Sequence, residues 1–116
     1  MNLLAQLLVG LVALLHAGFL VLEMFLWATP TGRRVFGLDA DFAGRTRALA
    51  ANQGLYNGFL AAGLVWSLVA DRSDVAVFFL GCVVVAGIFG AATVSRMILV
   101  VQALPAAVAL TVVLLG

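Results

Sequence analysis

The sequence predicts an all-α fold, a bundle of four transmembrane helices, on three observations. First, 66% of the 116 residues are hydrophobic and only 9% are charged, where a soluble domain carries about 25%. With a mean hydropathy of +1.25, lipid is the natural solvent. Second, the apolar residues gather in four runs, at about 3–28, 47–70, 75–95 and 98–115. Roughly 20 helical residues, at 1.5 Å each, cross a ~30 Å hydrocarbon core. Third, a spanning segment must satisfy its own backbone N–H and C=O groups, which leaves helices or closed barrels. The alternating polarity of barrel strands, in pieces of about 10 residues, is absent.

The first span runs from about Leu3 to Ala28, and Pro30 and Gly32 stop it. It does not read as a cleavable leader, because it lacks a positive N-terminal region and its long apolar run contains His16 and Glu23. The connection after it holds most of the soluble character: Thr29 to Arg34, then Asp39, Asp41, Gly44, Arg45 and Arg47. The second span runs from about Arg47 to Ala70. Asp71-Arg72-Ser73-Asp74 is a short link, with Ser73 or Asp74 placed to cap the third span, which covers about Val75 to Ser95. Only Ser95 and Arg96 interrupt the apolar run between Thr93 and Gln102. A tight turn at Ser95–Met97 is preferred there. One long helix would leave Pro105–Leu115 too short to cross. The fourth span is then about Ile98 to Leu115. No internal repeat or low-complexity linker divides the chain, so it reads as one domain.

Arginine placement orients the bundle. The first connection carries Arg33, Arg34, Arg45 and Arg47, the third carries Arg96, and the second only Arg72. The positive-inside rule puts the first and third connections in the cytoplasm. Both termini then lie on the other side of the membrane. A net charge of +1 with no lysine excludes a strongly basic nucleic-acid binder. Cys82 is the only cysteine, so no internal disulfide forms, and a small core thiol is its plain role. There is no phosphate-binding glycine loop, no paired carboxylates and no His/Cys set with metal spacing. Neither a cofactor nor a metal is expected.

Polar side chains inside apolar spans are costly and by default mark function. His16 and Glu23 are seven residues apart, so they share one helix face within about 20°, about 10.5 Å apart along the axis. They cannot bond directly or share a metal ion. Trp27 extends the same stripe. In the second span Asn52, Gln53, Tyr56 and Asn57 cover an arc of about 140°, and Gly54 and Gly58 offer a close-approach surface. In the fourth span Pro105 cannot donate to the carbonyl of Val101, which leaves an acceptor beside Gln102. On 1.5 Å per residue, Glu23, Asn52, Gln53 and Gln102 lie roughly 6–11 Å deep, and His16, Tyr56 and Asn57 roughly 15–18 Å. These depths predict one inward-open pocket. His16, Glu23 and Tyr56 are its candidate catalytic residues; Trp27, Asn52, Gln53, Asn57 and Gln102 are its candidate ligand contacts. The plain alternatives are an ion pair of Glu23 with Arg45 or Arg47, and amides that only join helices.

Four blocks carry a resemblance. They are His16 with Glu23-Met24-Phe25-Leu26-Trp27, the run Ala51-Asn52-Gln53-Gly54-Leu55-Tyr56-Asn57-Gly58-Phe59-Leu60-Ala61-Ala62-Gly63-Leu64, Gly87-Ile88-Phe89-Gly90, and Gln102-Ala103-Leu104-Pro105-Ala106. Together they resemble the small bacterial membrane proteins known as domain of unknown function 1304. The resemblance covers nearly the whole chain and implies four membrane helices and no assigned activity. Small multidrug transporters share the size and a glutamate in the first helix, but their other motifs do not match.

Three functions remain open from the sequence. One is an intramembrane acid–base enzyme, isomerase-like, acting on a small lipophilic substrate without a cofactor. Another is a proton-coupled carrier or channel built as a homo-oligomer. The third is a structural or accessory protein of the lipid bilayer whose polar residues only lock the bundle. The outer halves of the spans, with Leu11, Leu68, Val83 and Leu110, provide no polar track, which favours the enzyme over the carrier.

Overall fold

A computed structural model describes residues 1–116. Its architecture is all-α: α1 (Leu3–Met24), α2 (Pro30–Phe36), α3 (Ala40–Arg45), α4 (Arg47–Val69), α5 (Ser73–Thr93), a π turn (Leu99–Ala103) and α6 (Leu104–Leu115), with no strand. α1 and α5 are long and apolar enough to cross a membrane. α4 has the length, at 23 residues, but Arg47, Asn52, Gln53, Tyr56 and Asn57 lower its hydropathy. The chain forms two compact units, one of Met1–Leu14 with Leu60–Gly116, the other of Leu15–Phe59.

The first unit holds the hydrophobic core. Ala5, Val9 and Val12 from α1, Leu64 from α4, Ala76, Leu80 and Val83 from α5, and Ala106 and Ala109 from α6 are buried together. Small residues set the spacing. A Cβ on Gly87 would stand 2.7 Å from Ala103 Cβ, and one on Gly90 would stand 3.0 Å from Ile98 Cγ2. Residue 87 therefore faces 103 and 90 faces 98, the order of an antiparallel pair. Ser67 is fully buried, and its hydroxyl donates to the carbonyl of Leu64 in its own helix at 2.6 Å, so its polarity is satisfied locally. Cys82 is half-buried and unpaired.

The second unit is built from the end of α1, the two short helices and the start of α4. Four boundaries differ from the sequence expectation, each for a local reason. α1 stops at Met24, not near residue 28. Pro30 biases the residue before it away from helix, and Thr29 is extended at φ −77°, ψ 162°. The carbonyl of Leu26 is taken up in the turn, accepting from Thr29 N–H at 3.1 Å and from the Thr29 hydroxyl at 2.6 Å. Pro30 then begins α2, where its missing N–H costs nothing. The expected loop thus contains α2 and α3, capped by Thr29 and Asp39. Gly37 closes α2 in the left-handed region at φ 66°, the usual glycine C-cap.

The remaining two differences lie in the first unit. α5 begins at Ser73 without a side-chain cap, because the cap position falls on Arg72, whose guanidinium has no acceptor and bonds Asp74 at 2.9 and 2.7 Å. That carboxylate keeps the Arg72 guanidinium above its ordinary pKa. Before α6, the chain breaks between Thr93 and Ile98 and then widens into the π turn, with Leu104 N–H donating to the carbonyl of Leu99. Pro105 cannot donate to an α-helical acceptor, and the i→i+5 register absorbs the mismatch.

Candidate functional site

The second unit packs α1 against α4 in antiparallel order. A Cβ on Gly58 would stand 2.6 Å from Leu20 Cδ1, and one on Gly54 would stand 2.7 Å from Met24 Cγ and 3.1 Å from Glu23 Cβ. Gly54 and Gly58 therefore bring the two backbones close, as small residues do between apolar helices. That approach lets Asn57, 6% exposed, reach across. Its Nδ2 donates to Oε1 of half-buried Glu23. No other protein group bonds this carboxylate, and no arginine pairs with it. Arg45, one of its two expected counter-ions, is taken by Asp41 at 2.9 Å.

Trp27 lies one turn further on. Its indole N–H donates to Thr46 Oγ1 at 3.0 Å, and its ring lies against Phe36 with centroids 4.8 Å apart. Thr46 in turn donates to the carbonyl of Phe42 at 2.7 Å. These contacts tie the turn after α1 to α2 and to the junction of α3 with α4. The sequence reading missed Thr46. Its only available signal was the need of a half-buried indole N–H for an acceptor, and that need does not point to a position.

His16 is fully buried, with its ring edge-on to Phe19 at 5.3 Å. Asn52, Gln53 and Tyr56 are exposed, Tyr56 to 53%, and Tyr56 makes an edge contact with Phe59. Helical geometry explains the separation. Gly54, Asn57 and Gly58 form the face that meets α1, while Tyr56 and Asn52 lie about 100° and 140° round the helix from Asn57. The broad polar arc therefore does not line one groove: Asn57 turns to Glu23 and the others turn away. Gln102, half-buried, belongs to the π turn of the first unit.

A cavity of about 210 Å³ opens at the end of α1, lined by Met24, Phe25, Trp27, Ala28, Thr29 and Arg47, and neither Glu23 nor Asn57 belongs to its wall. Of the expected site residues only Trp27 contributes to its wall; Tyr56 does not. Nearby in the chain, Arg33 Nε is buried without a hydrogen-bond partner.

All-α architecture and two helices fit to cross a membrane define the class. Within that class the chain belongs to the family described as "Protein of unknown function (DUF1304)", whose sequence model matches residues 10–114. It is also similar to "Uncharacterized protein YpaA" of Lactococcus lactis subsp. lactis, 28% identical over 106 residues, 88% of this chain and 89% of that protein. No solved structure matches the chain.

Proposed function

We propose that this chain is a four-span protein of the bacterial inner membrane in which Glu23 transfers protons on a small lipophilic substrate. The observation that carries the reading is the Glu23–Asn57 pair: a carboxylate held between two helices by a neutral amide, with no cation beside it. Such a group keeps one oxygen for chemistry, where an ion-paired carboxylate is committed to its partner.

The membrane reading rests on α1 and α5. Only 22% and 28% of their most apolar stretches are buried, whereas a core helix of a soluble protein is mostly covered. Leu4, Leu7, Leu11 and Leu14 of α1 and Phe78, Val85, Ile88 and Phe89 of α5 are exposed. That surface suits lipid. α4 is about 35 Å long at 1.5 Å per residue. Leu99–Leu115 reaches about 25 Å, short for the core but within what local thinning accommodates. The arginine bias then puts α2 and α3 in the cytoplasm, with both termini outside. Cysteine labelling checks this in a Cys82→Ala background. Thr31→Cys is expected to react with an impermeant maleimide only from the cytoplasmic face, and Ser73→Cys only from the other. Labelling of Thr31→Cys from outside alone overturns the topology.

The chemistry needs no co-reactant. The Glu23 carboxylate takes a proton from a carbon beside a carbonyl or double bond. The electron pair shifts within the substrate, and the carboxylic acid returns the proton at a different carbon. Asn57 positions the carboxylate. Asn52, Gln53 and Tyr56 face away from it and are left out of the step. His16, about 10.5 Å along the helix, is beyond direct reach of Glu23. The test is to incubate the purified protein with native membrane lipid in D₂O and examine the lipids by mass spectrometry. Deuterium incorporation into a small lipophile, absent with empty nanodiscs, is expected. No incorporation, accompanied by saturable proton flux through reconstituted vesicles, replaces this reading with a carrier.

A further inference from the structure

We infer that the cavity at the end of α1 is a binding site for the headgroup of an anionic phospholipid, with the phosphate on Arg47 and the glycerol region against Met24 and Phe25. The inference rests on the membrane reading above, which puts this turn at the bilayer surface. Its own support is separate.

The wall of the cavity is divided. Met24 and Phe25 are apolar, and Phe25 is 68% exposed. Thr29 and Arg47 form the polar end. The only charge on the wall is positive. A lipid at the headgroup boundary presents the same division, with acyl carbon on one side and phosphate on the other.

Two further observations point to an anion. The turn from Phe25 to Thr29 lies outside any helix, and the backbone N–H groups of Trp27 and Ala28, both residues of the cavity wall, have no acceptor in the protein. Unpaired backbone donors of this kind suit an oxyanion. The segment's charge is also unbalanced. Arg33, Arg34 and Arg47 have no carboxylate partner, while Asp41 is committed to Arg45 and Asp39 caps α3. Arg33 Nε is buried and unsatisfied as well. Juxtamembrane arginines without counter-ions are attracted to anionic lipid. Trp27 anchors the floor, fixed by Thr46 and Phe36, so the site is formed before the lipid arrives.

Trp27 also provides the readout, because the chain has two tryptophans and Trp66→Phe leaves one. The full chain carrying Trp66→Phe, in neutral detergent, is titrated with brominated phosphatidylglycerol, brominated phosphatidylcholine and inorganic phosphate. Saturable quenching of Trp27 by the glycerol lipid is expected, with apparent affinity roughly tenfold or more above that for the choline lipid. Arg47→Gln should remove that preference, as loss of one charge-assisted contact implies, and Arg47→Lys should restore part of it. About 0.5 M salt should weaken the binding in the parent protein, since exposed charges are screened over a few ångströms there. Equal quenching by both lipids, or an unchanged titration in Arg47→Gln, overturns the site. Displacement of the lipid by millimolar inorganic phosphate also overturns it, in favour of a soluble anion. Carbonate extraction of native membranes separates the two ideas: protein that leaves with the carbonate wash refutes the membrane reading, whereas retained protein without lipid preference refutes only the headgroup site.

Discussion

Glu23→Gln is expected to fold like the parent protein and to lower deuterium incorporation by about 10²–10⁴-fold, the usual contribution of one general acid–base group. Folding is spared because no cation loses a counter-charge: Arg45 is paired with Asp41, and Asn57 Nδ2 can still donate to the amide oxygen of the replacement side chain. Asn57→Leu should do the reverse to stability. It removes the only protein donor to a half-buried carboxylate, and an unsatisfied charged group costs more than the roughly 1–3 kcal/mol of a neutral one. Thermal unfolding in detergent should therefore rank the parent and Glu23→Gln together, with Asn57→Leu well below them. The double variant Glu23→Leu with Asn57→Leu should recover much of the loss, because replacing both partners by apolar groups is close to neutral. A large drop in melting temperature for Glu23→Gln would return the carboxylate to a structural role.

This pair marks the limit of what the sequence could convey. Composition and run length sufficed for the all-α class, because an excess of apolar residues without alternation leaves few other choices. Glu23 and Asn57 each stood out as polar groups in apolar runs, and Gly54 and Gly58 stood out as a close-approach face. Their joint meaning was not legible, because depth along an axis says nothing about rotation. Asn52, Tyr56 and Asn57 lie within two turns of one another, yet Asn57 is buried while the other two are exposed. Only the choice of Gly54 and Gly58 as the contact face decides which amide turns inward. The first connection was hidden for a different reason. Pro30 stops a helix when met from the N-terminal side and starts one when met at its first turn, so α2 and the long connection read alike. Thr46 carried no signal because its role depends on where the chain returns after α3.

The contact face itself is open to the strongest test. Gly54→Val is expected to disrupt the second unit, with a loss of at least the roughly 1–3 kcal/mol typical of overpacking and no detectable deuterium incorporation. The first methyl-sized atom would stand 2.7 Å from Met24 Cγ, 3.1 Å from Glu23 Cβ and 3.2 Å from the carbonyl oxygen of Leu20. Met24 can swing aside, but the Glu23 Cβ and the Leu20 carbonyl move only with the backbone of α1. The helices must then part, and a hydrogen bond that spans them cannot survive the shift. Gly18→Ala, on α1, is the control. A Cβ there meets nothing within 4 Å, and alanine is the better helix former by about 1 kcal/mol, so its melting temperature should match or exceed that of the parent. If Gly54→Val melts with Gly18→Ala and keeps its activity, α1 and α4 do not approach through this glycine. The Glu23–Asn57 pair then loses its structural basis, and with it the proton-transfer reading.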